Sequence, residues 1–257
     1  MQRASNSTTR FSDRVADYVR YRPHYPESMT ATLQEAGILD RNTIVVDIGS
    51  GTGLSSEPFL RFGNTVYAVE PNQEMREASE ALYSNYANFK AVNGSAEATI
   101  LPAATADLIF CGQAYHWFDP RKTREEFTRI LRPGGSIVLA WNERSTTDPL
   151  QQEYEQLLRT HVAEYSRVTQ RNINSEQICS FLQPFPMQVI ALENSQEFDL
   201  EGLKGRMLSS SYSPKPGEAT YSVVMEGLEQ LFEKYQNNGH LTFRYDTLLY
   251  IGNEKNA

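Results

Sequence analysis

V-V-D-I-G-S-G-T-G, Val45 to Gly53, is the stretch that decides the fold. Ile44, Val45, Val46 and Ile48 make a short apolar run, the pattern of a strand buried on both faces of a parallel sheet. Glycines follow at once at positions 49, 51 and 53. Glycine accepts the left-handed angles of a tight turn and lets a ligand approach the main chain above the strand ends. The spacing is G-x-G-x-G, and Leu54 stands where a dinucleotide fingerprint would carry its last small residue. Glu70 closes the next apolar run, about twenty residues beyond the middle glycine, where a carboxylate can accept both hydroxyls of a ribose.

The same alternation extends outward. Phe11, Val15, Ala16 and Val19 recur at helical spacing and predict a helix from Phe11 to Arg20 that ends before Pro23. Pro26 opens a second helix that Gly37 stops. Beyond the glycine turn the pattern predicts a helix through Phe62, a strand Thr65 to Val69 and a helix from its N-cap Asn72 to Tyr83. It continues with strands Phe89 to Asn93 and Ala106 to Cys111 and a helix Arg121 to Leu131. A turn at Arg132-Pro133-Gly134-Gly135 then leads into a strand Ser136 to Trp141. Strands alternating with helices in this way predict a parallel sheet with right-handed crossovers. Past Trp141, long helices are expected over Pro149 to Tyr165 and Pro216 to Tyr235. Leu241 to Ile251 suits a late antiparallel strand.

Composition narrows the partners. Among 257 residues, 24 Lys and Arg face 32 Asp and Glu, a net charge of -8, which disfavours nucleic acid and anionic membrane surfaces. No apolar run approaches the roughly 20 residues that cross a bilayer, and the polar start MQRASNSTTR is unlike a signal peptide. Cys111 and Cys179 make no disulfide framework and suit a reducing compartment. The expectation is a cytoplasmic protein, monomer or homodimer, with no nucleic-acid or membrane partner. His24, His161 and His240 are dispersed without metal-ligand spacing, so no metal site is expected.

Taken in order along the chain, these motifs resemble those of the class I S-adenosylmethionine-dependent methyltransferases, small-molecule branch. Asp47 matches the acid of the family's first motif and Glu70 the ribose-binding acid of its second. G-S-A-E, Gly94 to Glu97, looks like the adenine-recognition tract. Asp107 to Asp119 looks like the fourth strand and its loop, and L-R-P-G-G, Leu131 to Gly135, like the turn before the fifth strand. Phe11, Tyr18, Arg22, Pro23, Tyr25 and Pro26 match a pattern that precedes the first strand in that branch.

The resemblance implies a Rossmann-like α/β fold: a seven-stranded, mostly parallel sheet with an antiparallel C-terminal strand and helices on both faces. It implies S-adenosyl-L-methionine as cofactor, bound by Asp47, Gly49, Ser50, Gly51, Gly53, Glu70, Pro71, Met75, Ser95, Ala96, Glu97, Gly112, Gln113 and Ala114. Tyr18 and Arg22 would reach its methionine end from an N-terminal cover. His116, just past the fourth strand, is the candidate catalytic residue, as general base or orienting donor, with Trp117 beside the acceptor. Residues 10–142 are expected to form the cofactor-binding core, 143–240 a helical lid and acceptor elaboration, and 241–251 the final strand, within one domain. In the lid, Arg206 and Tyr212 are the candidate acceptor contacts. A positive Arg206 favours an anionic acceptor, unless it pairs with a nearby acid such as Glu201. The expected activity is methyl transfer to a small molecule, at a carboxylic acid or hydroxyl group. The alternatives are a nicotinamide-dependent oxidoreductase, which the glycine spacing disfavours, and a non-catalytic cofactor-binding module.

Overall fold

The computed structural model describes residues 19–165, 174–210 and 212–253. Its sheet has seven strands in the order β3-β2-β1-β4-β5-β7-β6. β1 (Ile44–Ile48), β2 (Thr65–Val69), β3 (Phe89–Val92), β4 (Ala106–Gly112) and β5 (Leu131–Arg144) run parallel. β7 (Leu241–Asn253) lies antiparallel between β5 and β6 (Met187–Phe198). The helices are α1 (Ser28–Glu35), α2 (Glu57–Phe62), α3 (Gln73–Leu82), α4 (Pro120–Ile130), α5 (Pro149–His161), α6 (Ser175–Leu182), α7 (Leu200–Leu208) and α8 (Ala219–Tyr235).

Side chains of each central strand point alternately to two cores, because successive residues of a strand face opposite ways. Val46, Ile109 and Leu139 enter one cluster, and Val45, Leu108 and Val138 the other. A third cluster joins α5, α7 and α8 to the start of β7 through Tyr154, Leu203, Leu228 and Phe243. Burial at roughly 25 cal/mol per Å² makes these three clusters the main source of stability.

The expected elements recur with two differences. The R-P-G-G turn is not a break before β5 but an irregularity within it: Ala106 pairs with Leu131 and Leu108 with Ser136, so residues 132–135 loop out. Gly134 takes the positive φ of +76° that this requires. The stretch 143–240, expected as helical, also holds β6. That strand pairs with β7 over its whole length but sits at the sheet edge with Phe198 as its one buried residue, so its sequence carries little apolar signal. Finally, residues 19–21 are helical and end before Pro23 as expected. The remainder of the Phe11–Arg20 helix, Tyr18 included, lies outside the described residues.

Candidate active site

All five parallel strands end on one edge, and the glycine turn rises from the middle of it. Gly49, Gly51 and Gly53 have φ of +68°, +57° and +87°. A Cβ at Gly49 would lie 2.7 Å from that of Ala114, and one at Gly53 would lie 2.4 Å from the Tyr83 ring. At Gly51 the nearest atom is Met75 Sδ at 3.6 Å, so here the backbone conformation, not crowding, demands glycine.

Glu70 fixes this turn from β2. Its Oε2 accepts from Gly51 N at 2.9 Å and its Oε1 from Asn72 N at 2.8 Å. Burial raises its pKa, and the two backbone donors work against that. Each carboxylate oxygen keeps a further lone pair. Asn72 caps α3 by accepting from Met75 N, which sets Met75 beside the turn, while Pro71 stays exposed.

Asp47 is wholly buried. Its Oδ2 accepts from Ser55 Oγ at 2.7 Å and Ser56 Oγ at 2.6 Å. Burial nevertheless pushes its pKa up to about 6. Its Oδ1, Ser50 Oγ and Thr52 Oγ1 are buried with no hydrogen-bond partner. Three unsatisfied oxygens around one turn are costly unless a polar ligand or water meets them. The chemistry of this donor set therefore fits the hydroxyl-rich, amino-bearing S-adenosylmethionine.

Residues after β4 complete the edge. Gln113 adopts φ +57°, unusual for a side chain, and is held by Gln113 N to Ala140 O at 2.8 Å. Gly112 admits the Tyr25 hydroxyl, which a Cβ would meet at 2.3 Å. Tyr115–Trp117 forms one short 3-10 turn. His116 and Trp117 are half-buried with ring centroids 4.8 Å apart. Tyr115 is buried, packs edge-on to Phe118 and Trp141, and has its phenol pushed up to about 12 by burial. Ser95 bridges to Ala98, Ala96 is buried, and Glu97 Oε1 accepts from Asp119 N at 2.9 Å, tying the G-S-A-E tract to the loop after β4. Cys111 lies buried beneath the site with its thiol raised well above the ordinary value, an inert position.

Arg206 and Tyr212 come together, on α7 and just past it. Arg206 is 5% exposed and donates to Ser210 Oγ at 3.2 Å and Tyr245 Oη at 3.4 Å. Glu201, the acid nearest in sequence, is exposed on the first turn of α7. Arg144, at the end of β5, donates to Glu155 Oε2 at 2.8 Å and Tyr165 Oη at 2.5 Å. Arg22 reaches Ser209 O at 2.9 Å. Arg144, Tyr115 and the Ser55–Ser56 pair went unremarked in the sequence, and Tyr25 was noted there only as part of the N-terminal pattern. The two serines directly after the glycine turn were a local signal, whereas Arg144 becomes visible only through pairing with β7.

The comparisons with known proteins bear on this edge. A family model described as methyltransferase domain matches residues 46–139, from β1 to β5. An uncharacterised methyltransferase-like protein of Schizosaccharomyces pombe is 31% identical over 154 residues, covering 58% of this chain and 57% of that one. The chain thus spans just over half the length of the curated relatives it matches first. Two solved structures share the methyltransferase fold. One is a candidate methyltransferase of an antibiotic biosynthesis pathway from Anabaena variabilis (TM-score 0.61, 21% identity, 90% of this chain and 98% of that one). The other is geranyl diphosphate C-methyltransferase from Streptomyces coelicolor, solved with S-adenosyl-L-homocysteine (TM-score 0.50, 13% identity, 88% and 78%).

Proposed function

We propose that this methyltransferase moves a methyl group from S-adenosylmethionine to a small-molecule acceptor, at a carboxylic acid or hydroxyl group. The observation that carries the reading is the trio of buried, unpartnered oxygens of Asp47, Ser50 and Thr52 around a glycine turn that Glu70 holds. S-adenosylmethionine supplies a methyl group already activated on its sulfonium. The protein's share is then mainly to align donor and acceptor in line, which is able to supply roughly 7–11 kcal/mol.

In this reading Glu70 accepts the ribose hydroxyls with its remaining lone pairs. Pro71 and Met75 wall the adenine, and Ala96 with Glu97 meets its amino edge. Asp47, Ser50 and the Gly112–Ala114 segment hold the methionine end, with Arg22 above it. His116 orients the acceptor or takes its proton, and Trp117 packs against it. A carboxylate acceptor needs no base, whereas a hydroxyl gains from one near neutral pKa. No helix among the described residues is long and apolar enough to cross a membrane. The reading includes a reducing, cytoplasmic setting, supported by two free cysteines.

Calorimetry with S-adenosylhomocysteine, paired with label transfer from methyl-labelled S-adenosylmethionine into a metabolite extract, tests it. Binding with a labelled small product is expected. Binding without transfer into any fraction would leave a cofactor-binding module, and absence of binding would end the assignment.

A further inference from the structure

The cluster around Arg206 is not used by the donor half, and its charge is unbalanced. The hydrogen bonds of Arg206 go to the hydroxyls of Ser210 and Tyr245, and no carboxylate within 4 Å pairs with it among the described residues. Neighbouring Arg144 has Glu155, but that carboxylate also accepts from Arg159 Nε at 2.9 Å and from the Tyr165 hydroxyl. One acid therefore serves two guanidiniums, and Arg206 is left over. A buried guanidinium without a counter-ion costs several kcal/mol, in a chain whose net charge is -8 and which has acids to spare.

Tyr212 reports the same field. Burial pushes its phenol up, yet Arg144, Arg206, Ser210 and Arg22 together pull it below its ordinary value. The segment around Arg22 joins this cluster to the donor side. Tyr25 stands over Gly112 at the end of β4, and Tyr21 packs where a Cβ of Gly205 on α7 would lie, at 2.2 Å. Gln196 of β6 donates to Arg22 O at 3.2 Å.

We propose that Arg206, with Tyr212 beside it, anchors a carboxylate of the acceptor that is separate from the group receiving the methyl. The proposal rests on the methyltransferase reading above and adds the acceptor's class to it. A single uncompensated guanidinium matches a single negative charge, and its planar fork suits a carboxylate's two oxygens. A carboxylate held that way has its lone pairs engaged and is a poor nucleophile, so a second group on the same molecule takes the methyl.

The test uses the full chain saturated with S-adenosylhomocysteine for binding, and labelled S-adenosylmethionine for turnover. The probes are malate, citrate, salicylate and 4-hydroxybenzoate, each against its methyl ester, and inorganic phosphate. Acids are expected to raise the melting temperature or accept label, with the esters inactive. Arg206→Met should weaken the effective acid by about tenfold or more, since hydrogen bonds to a charged group are lost. Its affinity for S-adenosylhomocysteine should match the wild type, and its ligand-free melting temperature should equal or exceed it, because an uncompensated buried charge is gone. Arg206→Lys and Tyr212→Phe, which keep the charge or the ring, provide folded variants of intermediate effect. Equal response to acids and esters, preference for phosphate, no response to any acid, or unchanged acid affinity in Arg206→Met each overturns the proposal. Failure of the wild type to bind S-adenosylhomocysteine overturns the methyltransferase reading instead.

Discussion

The two ends of the functional edge bury opposite charges. At β1 and β2 the buried groups are the carboxylates of Asp47 and Glu70, met by serine hydroxyls and backbone N–H donors. At the end of β5 and on α7 they are the half-buried guanidinium of Arg144 and the buried one of Arg206, set among phenols. Neither end supplies itself with a full set of partners. Such preorganised, incompletely satisfied charge is what a site presents to a ligand of complementary chemistry. The first end suits hydroxyls and a cation, the second an anion, and His116 lies in the turn after β4, between the strands that carry the two ends.

The largest expected effect falls at that junction. His116→Ala should lower turnover roughly 10²–10⁴-fold if the imidazole takes the acceptor's proton, with cofactor affinity nearly intact. A loss of less than severalfold with a turned-over acceptor would make His116 a packing partner of Trp117. Next comes the carboxylate end. Glu70→Ala removes the acceptor for Gly51 N and Asn72 N and, in the proposed reading, for the ribose, and charge-assisted hydrogen bonds contribute about 1.5–3 kcal/mol each. S-adenosylhomocysteine affinity should fall more than about tenfold by calorimetry, while acid binding near Arg206 follows only through the lost cofactor. Unchanged affinity in a folded variant would remove Glu70 from the donor site.

These two ends differ in how far the sequence revealed them. The carboxylate end is built from near neighbours: Asp47 with Ser55 and Ser56, Gly51 with Glu70, Glu70 with Asn72. Short contacts of this kind leave a linear motif, and strands β1 to β5 carry the apolar runs of a two-sided sheet. The guanidinium end draws on Arg22, Arg144, Arg206, Tyr212 and Tyr245, which only the β5–β7–β6 pairing brings together. Arg206 and Tyr212 were legible as candidates because they sit in one polar, tyrosine-containing segment. Arg144 was hidden at a strand end, and β6 was read as part of a helical lid because an edge strand rich in Gln, Glu and Asn has no buried face to reveal it.

A smaller effect is expected at Asp47. Folded Asp47 holds its proton to about 6, whereas its unfolded counterpart releases it near 3.8. Between those values the folded state binds more protons, so this group's contribution is complete below the lower value and is lost as pH rises through the higher one. The slope is at most about 1.4 kcal/mol per pH unit, a few degrees in melting temperature. Asp47→Asn has no such titration, so the wild type should lose stability relative to it between those two pH values. Parallel melting curves across the window would show that Asp47 is ionised throughout, with the serines outweighing its burial.

The smallest effect is the sharpest test of the opposite end. If Glu201 neutralised Arg206, Glu201→Gln would strip a buried guanidinium of its counter-ion and cost several kcal/mol. In the structure Glu201 is exposed on the first turn of α7, where its one contribution is to the helix dipole, worth about 0.3–1 kcal/mol. Glu201→Gln should therefore shift stability by no more than that and leave acid affinity unchanged. Glu155→Gln is the contrast, because Arg144 and Arg159 both lose their shared acceptor while Arg206 does not. Urea unfolding of the two variants, with acid titrations alongside, separates the cases. A Glu201→Gln protein that loses more than about 1 kcal/mol, or binds acids more tightly because Arg206 has been freed, would mean that the guanidinium end already carries its own anion. The opposition between the two ends would then be a matter of packing and not of ligand recognition.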